Sequence, residues 1–99
     1  MGNLPTIWTY GKYSGNNYGV NALAVSVGAL DVYFSYRTPV AFRTPGRLVV
    51  RENDWGPTTG KHLNWIDDGE KDARVSGAEF ERLLSEEIER REATVPQVA

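Results

Sequence analysis

Ninety-nine residues, 40% apolar and 24% charged, describe one folded domain over 1–99 with loose ends at 1–5 and 93–99, and exclude a disordered chain. The net charge of -2 excludes the strong basic excess of a duplex binder. With no cysteine in the chain, disulfides, zinc–thiolate sites and thiol nucleophiles are excluded as well.

No apolar run approaches the roughly 18 residues of a membrane span, and Met1-Gly2-Asn3-Leu4-Pro5 has no signal-peptide core. A reducing, cytoplasmic setting without membrane contact is therefore expected. At this size the core is modest, so association into a homo-oligomer is expected to add burial.

Taken in order, Thr6 to Tyr13 is β-branched and aromatic and predicts a strand. Ser14-Gly15-Asn16-Asn17-Tyr18-Gly19 tolerates positive φ and predicts a turn. Val20 to Val27 predicts a second strand, with Leu23, Val25 and Val27 on one face and small residues Ala22, Ala24 and Ser26 on the other, where a neighbour packs closely. Gly28-Ala29 turns the chain into a third strand, Leu30 to Tyr36. Pro39 donates no backbone hydrogen bond and marks an edge, bulge or break. Val40–Arg43 and Arg47–Arg51 flank Thr44-Pro45-Gly46, where Pro followed by Gly predicts a type II turn. Every connection is too short for a parallel crossover, so the strands form an antiparallel meander.

Past a loop carrying Trp55, Thr58 or Thr59 predicts the cap of a short helix over Lys61–Ile66, ended by Gly69. Lys71 to Val75 reads as extended. Ser76 with Glu79 forms a capping box. Phe80, Leu83, Leu84 and Ile88 then make an apolar helical stripe, with Glu86–Arg90 and Glu87–Arg91 as i,i+4 pairs and Pro96 beyond the end. The fold class is α+β: an antiparallel meander of about five strands, a short helix, and a C-terminal amphipathic helix packed on the sheet.

The charge is unevenly placed. Up to Ile66 there are six basic and three acidic residues; after it, five basic and ten acidic. Ten of eleven aromatics also precede Asp67. Such an asymmetry marks either an anion-binding body or a helix with ordinary surface glutamates.

Gly56-Pro57-Thr58-Thr59-Gly60-Lys61-His62 is not a phosphate loop. That motif needs four residues between its glycines and a hydroxyl residue after the lysine; here three intervene and His62 follows. A helix start with Thr59, Lys61 and His62 still suits an anion, against the plainer reading of a structural cap with His62 bonded inside the fold. Arg37, Arg43, Arg47 and Arg51, interleaved with Tyr33, Tyr36 and Phe42 and followed by Trp55, offer bidentate and stacking groups for a nucleotide-like ligand or single-stranded nucleic acid. Equally, they can shield a sheet edge. Asp67-Asp68-Gly69-Glu70-Lys71-Asp72 lacks the alternating ligands of a calcium loop, and no metal or cofactor is expected. One histidine and no serine in a nucleophile-elbow context argue against catalysis.

Two segments, Ser35-Tyr36-Arg37-Thr38-Pro39-Val40-Ala41-Phe42-Arg43 and Trp55 with Thr58-Thr59-Gly60-Lys61-His62-Leu63-Asn64-Trp65-Ile66, resemble a family of small uncharacterised proteins common in phage and prophage genomes. The resemblance implies a cytoplasmic product of an infected cell, and by context a counter-defence role. Small phage proteins of that kind bind a host defence protein or sequester a nucleotide signal. The expected function is a non-catalytic binding protein that holds an anionic nucleotide-like ligand through Thr59, Lys61, His62, Arg43, Arg47, Arg51, Tyr36 and Trp55. Single-stranded nucleic-acid binding and inhibition by protein–protein contact are the alternatives, the last requiring an exposed apolar patch.

Overall fold

The computed structural model describes residues 4–11 and 21–94. The predicted turn at 14–19 and the tail beyond Thr94 lie outside them, as do Tyr13 and Tyr18. Five strands, β1 (Thr6–Thr9), β2 (Ala22–Val27), β3 (Leu30–Ser35), β4 (Thr38–Thr44) and β5 (Arg47–Val50), form one antiparallel sheet in sequence order. Two helices follow, α1 (Pro57–Asp67) and α2 (Gly77–Thr94), separated by a single 3₁₀ turn at Lys71–Ala73. The α+β meander expected from the sequence is the observed fold.

The sheet has two chemically different faces, and each helix takes one. Ala22 and Ala24 of β2, Tyr33 of β3, Ala41 of β4 and Val50 of β5 form a buried cluster with Leu63 and Ile66 of α1. The alanines explain the close approach, since a methyl group leaves room for a helix to lie on the strand. Thr59, His62, Leu63 and Ile66 are the buried residues of α1, and their i, i+3, i+4, i+7 spacing is one helical stripe. On the opposite face, Leu30, Phe42 and Val49 close around Phe80 of α2, with Val32, Val75, Leu83 and Leu84 packed beside them.

Pro39 produces a bulge. The β3–β4 register shifts between Tyr33 and Phe34, whose partners are Ala41 and Pro39, so Val40 is the extra residue, and both Val40 and Ala41 are fully buried. A missing amide hydrogen is tolerated where the ladder is already interrupted.

Four local expectations are corrected. The β4–β5 turn forms at Pro45–Gly46, but Gly46 has no positive φ, which excludes type II. Helix α1 begins four residues before Lys61, with Gly56 at the N-cap and Pro57 in the first turn; proline's fixed φ favours that place, so neither Thr58 nor Thr59 is the cap. Its end is set by Asp68 at φ 55, followed by Gly69 at φ 80. Residues 71–73 are a 3₁₀ turn rather than extended, although Val75 does bridge to Arg51.

Helix α2 starts as the capping box requires, the Glu79 amide donating to Ser76 Oγ at 3.2 Å. Its pairs differ in part from expectation. Glu87 meets Arg91 at 3.3 Å, but Glu86 meets Arg82 at 2.6 Å and Arg90 meets Glu87 at 3.1 Å. Ile88 is 42% exposed. The helix outruns the sheet, so only the first part of its apolar stripe is covered.

Candidate functional site

The eight residues expected to gather around one ligand occupy separate places. Thr59 and His62 face inward. Ser35 Oγ lies 2.7 Å from His62 Nδ1 and 2.9 Å from Thr59 Oγ1, and Ser35, Thr59 and His62 are all buried. Burying three polar groups is tolerable because each meets another. A serine bonded to a histidine is the beginning of nucleophile activation. With His62 0% exposed, however, no substrate carbon can reach this pair, and it serves to fasten α1 to the end of β3. His62 is therefore a packing residue, not a half-exposed ligand group.

Arg51 is corrected in the same way. It is buried, with its guanidinium 4.7 Å from the Trp55 ring centroid and 5.8 Å from that of Phe80. It pairs with Asp54 at 3.2 Å and Glu81 at 3.8 Å. A cation stacked on two aromatics and facing two carboxylates is spent on structure. Arg47 shares that face and lies over Phe42 at 5.6 Å. Arg43 is on the other face, donating to Tyr33 Oη at 3.3 Å. Lys61 and Trp55 are exposed. The alternation of side chains across the β4–β5 hairpin thus separates Arg43, which pairs with Leu48, from Arg47 and Arg51.

Among the concave surfaces of the described residues, two bear on function. The first is a polar cleft of about 410 Å³ lined by Glu52, Asn53, Asp54, Gly60, Asn64, Lys71 and Arg74. Gly60 forms part of its wall, where a Cβ would meet Asn53 Nδ2 at 3.2 Å. Arg74 is committed to Asp67, at 2.7 and 2.9 Å, and to Asn64 at 3.0 Å. The two carboxylates of Glu52 and Asp54 offset the remaining cation, so the cleft carries little net positive field. Asn53 and Arg74 had no motif to announce them, and Asn64 lies in the Thr58–Ile66 segment as a residue not singled out there.

The second surface lies on the α2 face of the sheet, over the strands that α2 does not reach. It is a groove of about 290 Å³ lined by Ile7, Leu23, Val25, Phe34, Tyr36 and Arg37. Ile7 is 71% and Tyr36 47% exposed. Leu23, Val25 and Phe34 are half-buried. Tyr36 sits at the β3–β4 turn with φ 58, a conformation that costs a bulky residue of order 1–3 kcal/mol. Its ring stands 6.2 Å from that of His62. Arg37 beside it makes no ion pair among the described residues. The signal for this groove was present in the alternation of Leu23 and Val25, which also fits a covered face; only the reach of α2 decides between them.

Among the described residues no group of three or more His, Asp or Glu is placed to hold a metal ion, and no helix is long and apolar enough to cross a membrane.

No curated protein and no solved structure matches the chain. A family model does match, over residues 3–82, a span that takes in all five strands, α1 and the start of α2 and includes both motif segments, so the chain belongs to the family of unknown function DUF8033.

Proposed function

We propose that this is a non-catalytic binding protein that acts by protein contact through the sheet groove. The observation that carries the reading is the uncovered apolar floor of Leu23, Val25 and Phe34 between exposed Ile7 and Tyr36. A contiguous apolar surface bordered by polar groups is the kind that a partner covers. Arg37 at its rim, exposed and without an ion pair among the described residues, selects the occupant: an apolar segment of another protein with a carboxylate beside it. The phage context implied by the motif resemblance makes a host defence protein, met in the host cytoplasm, the natural source of that segment.

The test is a titration of the labelled protein with a synthetic peptide alternating leucine and aspartate, followed by amide chemical shifts. Shifts should concentrate at Leu23, Val25, Phe34 and Tyr36, and Phe34→Glu should weaken binding at least tenfold. Equal binding by Phe34→Glu would sink the reading.

A second reading, a nucleotide-like ligand, is supported by the cleft beside Gly60 with Asn53, Asn64 and Lys71 on its walls. A thermal-shift panel of nucleotides, cyclic dinucleotides and short oligonucleotides tests it. A ligand at a hundred times its Kd adds about 2.7 kcal/mol, and Lys71→Ala should abolish the shift. A response that grows with oligonucleotide length would instead favour single-stranded nucleic acid.

A further inference from the structure

The two edges of the sheet are treated differently. Beyond β5 the chain returns: the Val75 amide donates to the Val50 carbonyl at 2.9 Å and the Glu52 amide to the Val75 carbonyl at 2.7 Å. Arg47 and Arg51 flank that strand. Among the described residues nothing covers β1 in this way. Its four residues, Thr-Ile-Trp-Thr, are all exposed and carry neither a charge nor a proline, two of the devices by which sheets keep an edge unpaired.

The backbone of β1 offers a defined set of bonds. The Tyr10 amide donates inward to the Ala22 carbonyl at 3.0 Å. In an antiparallel ladder inward and outward groups alternate, so Thr6 and Trp8 also face β2. Ile7 and Thr9 then direct both their N–H and their C=O away from the sheet.

From this edge we infer that a second copy of the chain pairs with β1, antiparallel about a two-fold axis at Trp8. The register follows from the residues. Centring on Trp8 sets Ile7 opposite Thr9 of the partner subunit and satisfies all four outward groups. Centring on Ile7 would set Thr9 of the partner subunit opposite Pro5, which has no hydrogen to give. A two-fold axis perpendicular to the sheet keeps faces together, so like meets like. Trp8 meets the partner subunit's Trp8 on the α1 face, and Ile7 sits beside the partner subunit's Thr9 on the groove face. Aromatic and β-branched cross-strand pairs of this kind stabilise a sheet.

The pairing makes a ten-stranded sheet and closes the open side of the groove, whose Ile7 rim otherwise stands in water. The partner subunit's Thr9 becomes its missing wall. In this respect the inference rests on the proposed binding groove, but the edge itself is independent of any ligand.

Sedimentation velocity on the full chain reads the outcome. The wild type should sediment at twice the 11.0 kDa monomer mass at micromolar concentration. Thr9→Pro removes an outward N–H while sparing the inward bonds of Trp8 and Tyr10, and should give a monomer with an unchanged circular dichroism spectrum. Ile7→Lys, which keeps the backbone, should do the same if Thr9→Pro fails to fold. In the wild type the Ile7 and Thr9 amides should exchange with solvent at least a hundredfold more slowly than in Ile7→Lys. A monomeric wild type, a dimer that persists in both variants, or fast exchange at Ile7 and Thr9 would each overturn the inference. Phe34→Glu separates the two ideas, since it should abolish peptide binding and leave the dimer intact.

Discussion

At position 62 an imidazole with no exposed surface holds a serine and, through it, a threonine. Removing Ser35 takes one buried hydrogen-bond partner from each of the other two. Ser35→Ala should therefore cost about 1–3 kcal/mol in urea denaturation, the penalty of an unsatisfied buried polar group. The Ser35→Ala, His62→Phe double variant should cost less than the sum of its parts. Arg74 and Asp67, with side chains 4% and 6% exposed, form the most enclosed ion pair among the described residues. Arg74→Ala leaves a buried carboxylate and should cost about 3 kcal/mol. Gly77 is a third such point. A Cβ there would overlap the Arg51 guanidinium, which is flanked by Trp55 and Phe80. Gly77→Ala should lower stability by about 1–3 kcal/mol in urea denaturation.

The elements divide the same way between local and distant causes. α2 begins where its capping box places it, and Ser76→Ala should cost about 1 kcal/mol of stability. Arg82, hydrogen-bonded to Glu79 at 2.6 and 3.0 Å, holds the Glu79 carboxyl below the usual carboxylate range. A depressed folded-state pKa gives stability that is present above the ordinary glutamate range and is lost as pH falls through the folded value. Helicity of α2 should accordingly fall on acidification below about pH 4, by circular dichroism, and Arg82→Gln should remove that part of the pH dependence. The bulge at Val40 follows Pro39, whereas the threading of Val75 against Arg51 arises from long-range contacts. No local pattern around Lys71–Val75 distinguishes a 3₁₀ turn from an extended segment, because Val75 takes its place from its bonds to Val50 and Glu52.

For the molecule as a whole, the sequence by itself determined the antiparallel order, the close packing on the alanine face of β2 and the start of α2. Short connections, two-residue alternation and helical spacing act over a few neighbours and leave their mark in the residues concerned. It also brought forward Tyr36, which lies at the rim of the groove. What only the tertiary structure decided is which side of each element meets which. The hairpin arginines are a single group in the sequence, but strand alternation sends Arg43 to one face, and the contacts of Trp55 and Phe80 take Arg51 into the interior. The Thr58–Ile66 stretch has the residues of an anion site, yet packing against Ser35 turns Thr59 and His62 inward and leaves Gly60 and Asn64 on the cleft. The groove exists because α2 covers Leu30, Phe42 and Val49 and stops short of Leu23 and Val25, and the reach of a helix across a sheet depends on three-dimensional geometry that no local pattern encodes.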